Sequence, residues 1–140
     1  MSNEMILEPM VAMLVLTAVV WFFMFARRLT AMQRLGKPAQ TYATPDTISL
    51  LPEEVNYAAY NFKNLFELPV LFYAVCLYLY VTASVDQFYL VCAYLFLVFR
   101  ALHSIIQCTI NNVRLRFAAY AVASLALLAM ILRVAVAQFS

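Results

Sequence analysis

The sequence predicts an all-α integral membrane protein, a single membrane domain built as a bundle of four transmembrane helices. Three observations carry this. Hydrophobic residues make up 66% of the chain and charged residues 11%, whereas soluble domains are about a quarter charged. Glycine occurs once, so the long apolar runs have almost no flexible interruptions. Each run approaches the ~20 residues that a helix needs to cross a hydrocarbon core ~30 Å thick.

The same composition excludes several classes. A chain of 140 residues spent on four spans has no room for a separate soluble domain. A net charge of +2 is too small for a nucleic-acid partner, and the basic residues cluster by topology rather than along a stripe. Cys76, Cys92 and Cys108 all sit in apolar runs. With no C-x-x-C and no Cys/His spacing, no metal site is expected, and the thiols read as small hydrophobes.

In chain order, the spans are expected at about 7–30, 55–83, 87–109 and 114–138, with a cytoplasmic loop at about 34–52. Pro9 to Ala26 is uncharged. At 1.5 Å per residue it makes ~27 Å of helix. Glu4 and Glu8 precede it and no basic residue does, so it reads as a retained span and not a signal peptide. Arg27, Arg28, Arg34 and Lys37 follow it directly. The positive-inside rule then puts that end in the cytoplasm and the N-terminus outside.

The next stretch, Gly36 to Pro52, holds three prolines and the one glycine and reads as a loop. Pro52-Glu53-Glu54 reads as a helix start, with proline at the first position and acids at the positive end of the helix dipole. That helix is expected to run on to about Ala83, kinked at Pro69 with the carbonyl of Leu65 freed. Tyr57, Tyr60, Asn64 and Glu67 are spaced 3, 4 and 3, a polar stripe on its first half.

Asp86 marks a tight outer turn before the third span. Arg100, His103 and Gln107 follow at i, i+3 and i+7, one helix face. Asn111-Asn112 makes the next turn, and Arg114 and Arg116 fall on the cytoplasmic side. Arg116 and Tyr120 share a face of the last helix, and Arg133 near its end reads as a snorkelling structural residue. Both termini are therefore expected outside.

Counted along each helix, Tyr60, Asn64, Glu67, Arg100, His103, Gln107 and Arg116 all map to the cytoplasmic third of the membrane. Intramembrane ionisable groups are costly and point to a functional site by default. Two explanations stand side by side. One is a Glu67–Arg100 ion pair with polar neighbours acting as internal glue. The other is a cytoplasm-facing pocket for a small ligand carrying both signs, its carboxylate for the arginines and its amine for Glu67.

Four short pieces, in order, resemble the MAPEG proteins (membrane-associated proteins of eicosanoid and glutathione metabolism) in their bacterial branch. They are Ala26-Arg27-Arg28 closing the first span, Asn64-x-x-Glu67 with proline just after it, Arg100-x-x-His103, and Arg116-x-x-x-Tyr120. The resemblance implies a homotrimer in a bacterial inner membrane, with glutathione as co-substrate bound between subunits. It implies a transferase or peroxidase acting on hydrophobic electrophiles or lipid hydroperoxides. In that scheme Arg116 is catalytic and stabilises the thiolate. Asn64 and Glu67 hold the backbone or amino end of glutathione, Arg100 and His103 support its carboxylate, Tyr120 packs on the peptide, and Arg28 joins the binding set. A non-catalytic lipid- or partner-binding member is the alternative. The chain departs from the eicosanoid-forming members at Tyr60, Gln107 and Phe117, where those carry arginine, tyrosine and, in one branch, serine, and Pro69 lies closer to the glutamate.

Overall fold

The computed structural model describes residues 1–140. It is all-helical, with four stretches long and apolar enough to cross a membrane. A short 3-10 turn, Asn3–Ile6, leads into α1 (Leu7–Leu35). Gly36 ends α1 at φ +64°, and its amide bonds back to the Met32 and Gln33 carbonyls. A left-handed cap suits glycine, which has no Cβ to clash there.

The stretch read as a loop carries structure of its own: a 3-10 turn, Ala39–Tyr42, and the four-residue α2 (Pro45–Ile48). Thr44 and Thr47 close a capping box around the start of α2. Buried Tyr42 and Leu51 pack with Ala31 and Val55, which pins the connection to the ends of its flanking helices.

The second membrane stretch is not one kinked helix. It divides into α3 (Glu53–Asn64) and α4 (Leu68–Val81), and Pro52 is the cap before α3 rather than its first residue. Pro69 has no N–H to give to the Leu65 carbonyl, and its ring disfavours helical backbone just before it. The chain responds by tightening. The amides of Leu65, Phe66 and Glu67 bond to carbonyls three residues back, and Glu67 leaves the helical region at φ −96°, ψ −104°. The expected polar stripe is therefore interrupted between Asn64 and Glu67.

Asp86 caps α5 (Gln87–Cys108) by accepting from the Tyr89 amide at 3.1 Å. Asn111 at φ +47° and Asn112, whose side chain accepts from the Arg114 and Leu115 amides, then turn the chain into α6 (Val113–Phe139). Small residues at Ala119, Ala123 and Ala126 are buried on one stripe of α6. Such a stripe lets helix backbones approach closely in a membrane, and α5 packs most extensively on α6. The core is apolar, with Phe72 of α4 stacked on Phe96 of α5 at 4.4 Å between ring centroids. At the end of the bundle away from the basic loops, Arg133 grips Asp86 through its two terminal guanidinium nitrogens, Nη1 and Nη2, at 3.0 and 2.5 Å.

Candidate functional site

The helix break sets the site. Asn64 is the last residue of α3, and its carbonyl is not absorbed into a continuing helix. It accepts from the Glu67 amide at 3.2 Å and from Nη2 of Arg100 at 3.3 Å. Arg100 comes from the middle of α5 and is wholly buried, yet its Nε and Nη1 have no partner. The Glu67–Arg100 ion pair weighed from the sequence does not form, since Asp86–Arg133 is the only ion pair in the molecule. Glu67 is exposed instead. The physical reason is the break, which takes Glu67 off the α3 stripe while leaving a main-chain carbonyl to meet the arginine.

Beside Arg100 opens a cleft of about 240 Å³ between the end of α3, the last two turns of α5 and the first two turns of α6. Asn64, His103, Gln107, Arg116 and Tyr120 line it, with Val113 and Phe117 as its apolar wall. The periodicity of α5 stacks Arg100, His103 and Gln107 along one buried face. Asn64 donates through Nδ2 to Oε1 of Gln107 at 3.2 Å, which joins α3 to α5 across the cleft. Tyr120 stands over both buried residues of α5. Its ring centroid lies 5.9 Å from that of His103 and 5.9 Å from the guanidinium carbon of Arg100. The Nδ1 atom of His103 is buried without a partner. Arg116 is half-buried at the mouth, and its Nη1 donates to Oδ1 of Asn111 at 2.7 Å.

Four of the residues singled out from the sequence, Asn64, His103, Arg116 and Tyr120, thus share one cleft, with Arg100 directly behind it. Two do not join them within this chain. Glu67 faces outward just past the break. Arg28 lies in a separate cleft of about 390 Å³ between α1, α2 and α3, near Tyr60 and Lys63, with its Nε buried and unpartnered. Sequence reasoning passed over Asn61, which is fully buried, accepts from the Ser104 hydroxyl at 3.2 Å and donates to Cys108 Sγ at 3.6 Å. Its spacing of three from Asn64 was the available signal. This second polar tie between α3 and α5 holds the two helices in register beside the cleft.

Chemically, the cleft pairs two guanidiniums with two carboxamides and no carboxylate. It suits an anionic, amide-bearing molecule. Two unit charges ~8 Å apart still interact by ~2 kcal/mol at an effective dielectric constant of ~20, so the buried Arg100 acts on an anion in the cleft without touching it. Its volume of about 240 Å³ is smaller than the ~300–1,000 Å³ usual for small-molecule sites.

The family model for the MAPEG family matches residues 6–136. Comparison with curated proteins and with solved structures gives no match.

Proposed function

Because the chain belongs to the MAPEG family, we propose that it is a membrane-embedded, glutathione-dependent transferase or peroxidase acting on hydrophobic electrophiles or lipid hydroperoxides. The observation that carries the reading is Arg100, a wholly buried guanidinium with two unpaired nitrogens behind a cleft with no acid in it. A charge serving as internal glue would be paired, because an uncompensated buried charge costs several kcal/mol. An arriving anion offsets that cost.

Glutathione supplies two carboxylates, an amine, two amide bonds and a thiol, and the residues fit it. Arg100 and His103 draw a carboxylate, and the Asn64–Gln107 pair offers donors and acceptors for peptide groups. Tyr120 presents a ring face. Arg116, at the mouth, stabilises the thiolate, since a cation beside a thiol lowers its pKa and the thiolate is the nucleophile. Phe117 and Val113 turn an apolar wall to the second substrate, which reaches the thiolate from the lipid. The residues outside this cleft complete it from a neighbouring subunit of a homotrimer: exposed Glu67 takes the amine, and Arg28 takes the second carboxylate. The basic residues at the end of α1 and the start of α6 support, by the positive-inside rule, a reading in which this site faces the cytoplasm of a bacterial inner membrane and both termini lie outside.

The test is conjugation of a model aryl halide by purified protein in detergent. Wild type conjugates in the presence of glutathione and Arg116→Ala loses about two orders of magnitude of that rate or all of it. Equal rates in the two would remove the assignment.

A further inference from the structure

A second groove lies on a different face of the bundle from the cleft at Arg116. At the end of α1 a cavity of about 420 Å³ is shared with the start of α3, and Arg27, Thr30, Arg34 and Glu54 are the polar residues lining it. Neither arginine makes an ion pair or a hydrogen bond within the chain, and Glu54 has no cation partner. Further back along α1, a mostly apolar furrow of about 230 Å³ runs between α1 and α5, past Leu16, Val19 and Ile105, with Ser104 and Thr109 as its polar residues. Phe23 lines both cavities, so the two border each other at that ring. The Arg27 guanidinium rests over the same ring at 5.0 Å. Leu16, Val19, Phe23, Arg27, Thr30 and Arg34 recur at helical spacings of 3 or 4, so they form one stripe of α1.

This is the profile of an amphiphile. The apolar half of the stripe, Leu16 to Phe23, rises ~10 Å, which fits within one leaflet of a ~30 Å hydrocarbon core. The polar half then reaches the headgroup level, where the basic residues cluster. The headgroup it fits carries both signs, because two free guanidiniums face one free carboxylate. We propose that the groove is a phospholipid site selective for a phosphoethanolamine headgroup. Arg27 and Arg34 hold the phosphate, Glu54 takes the ammonium, Thr30 donates to a phosphate oxygen, and an acyl chain lies in the α1–α5 furrow. The lipid wedges α1 against α5 on the side opposite His103 and so supports the helix that carries the cleft.

The test uses the full chain, purified in detergent, offered equal amounts of phosphatidylethanolamine and phosphatidylglycerol of the same chain length, with retained lipid read by native mass spectrometry. Wild type retains phosphatidylethanolamine preferentially. At about 1 kcal/mol per arginine near a headgroup, Arg27→Gln with Arg34→Gln weakens retention about thirtyfold. Glu54→Gln keeps binding but erases the preference between headgroups, and Ile105→Trp fills the furrow and lowers retention of both lipids. All four positions are exposed, so none of the substitutions disturbs the core, and the fold of each variant is checked by its helical circular dichroism. Unchanged retention in the double arginine variant overturns the proposal. So does inorganic phosphate alone raising the melting temperature as much as the lipid does, which would make this a free-anion site. A change of oligomeric mass in Ile105→Trp without loss of lipid would make the furrow a contact between copies of the chain and also overturns it.

Discussion

Arg100 donates to the main-chain carbonyl of Asn64 at 3.3 Å, at the point where Pro69 has forced α3 to end. A helix break in one span and a buried cation in another are therefore one device. The break exposes an acceptor, the acceptor holds one guanidinium nitrogen, and the remaining nitrogens stay unpaired behind the cleft.

This predicts an unusual response at Arg100. Arg100→Met is expected to leave the ligand-free protein as stable as wild type, or more stable, because replacing an imperfectly compensated buried charge by an apolar group of similar length is neutral or stabilising by about 1–4 kcal/mol. The same variant is expected to lose the rise in melting temperature that glutathione gives wild type. Marked destabilisation of the ligand-free variant would show Arg100 to be internal glue.

Pro69→Ala is expected to let the helix run on through Leu65–Glu67. The Asn64 carbonyl then takes an intrahelical partner, and Arg100 loses its acceptor. Helical ellipticity should rise slightly, while glutathione affinity falls about tenfold, the worth of one weak charge-assisted hydrogen bond. Titration calorimetry beside circular dichroism reads both changes. Helix gain with unchanged affinity would separate the break from the site.

Asn111 orients Arg116 at 2.7 Å and itself adopts φ +47°. Asn111→Gly keeps that backbone at little strain and removes only the side-chain acceptor. Binding of glutathione should persist while the pH at which the bound thiol ionises moves up and conjugation slows, read from thiolate absorbance near 240 nm as a function of pH. Arg116→Ala is expected to slow conjugation by about 10²-fold or more, the scale of losing one preorganised group beside developing charge.

At the opposite end of the bundle, Asp86 should give a pH signature. Slight burial of its carboxyl acts to raise its pKa, but hydrogen bonds from Arg133 and from the Tyr89 amide outweigh this and hold it below the usual carboxylate range. A depressed folded value means stabilisation that is fully present above the ordinary, unfolded value and is lost as pH falls through the folded one. Thermal unfolding in detergent from pH 6 down to pH 3 should show wild type losing stability in that acid window. Asp86→Asn should change less, since asparagine keeps the helix cap but not the charge. The difference is expected to be small, because both side chains are more than 40% exposed.

Much of this architecture is local and so could be read from the chain alone. A transmembrane helix announces itself by length and apolarity, because every backbone group must be satisfied within the segment. Helical period then fixes which residues share a face, and this is why Arg100, His103 and Gln107 could be grouped on one helix and Arg116 with Tyr120 on the next. Depth follows from counting residues, and it brought Asn64 to the same level as these side chains, where they now line or back one cleft.

What the tertiary structure alone decided is which group meets which. Proline at position 69 foretold a disturbance, yet whether the helix would bend or end depends on its packing between α1 and α5, and it ends. That choice sent Glu67 outward and gave Arg100 a carbonyl in place of a carboxylate. Arg28, one residue from Arg27, entered a different cavity because neighbours on a helix point ~100° apart. Periodicity assigns a side chain to a face. Only the rotation of each helix about its axis, set by the whole bundle at once, determines what that face touches.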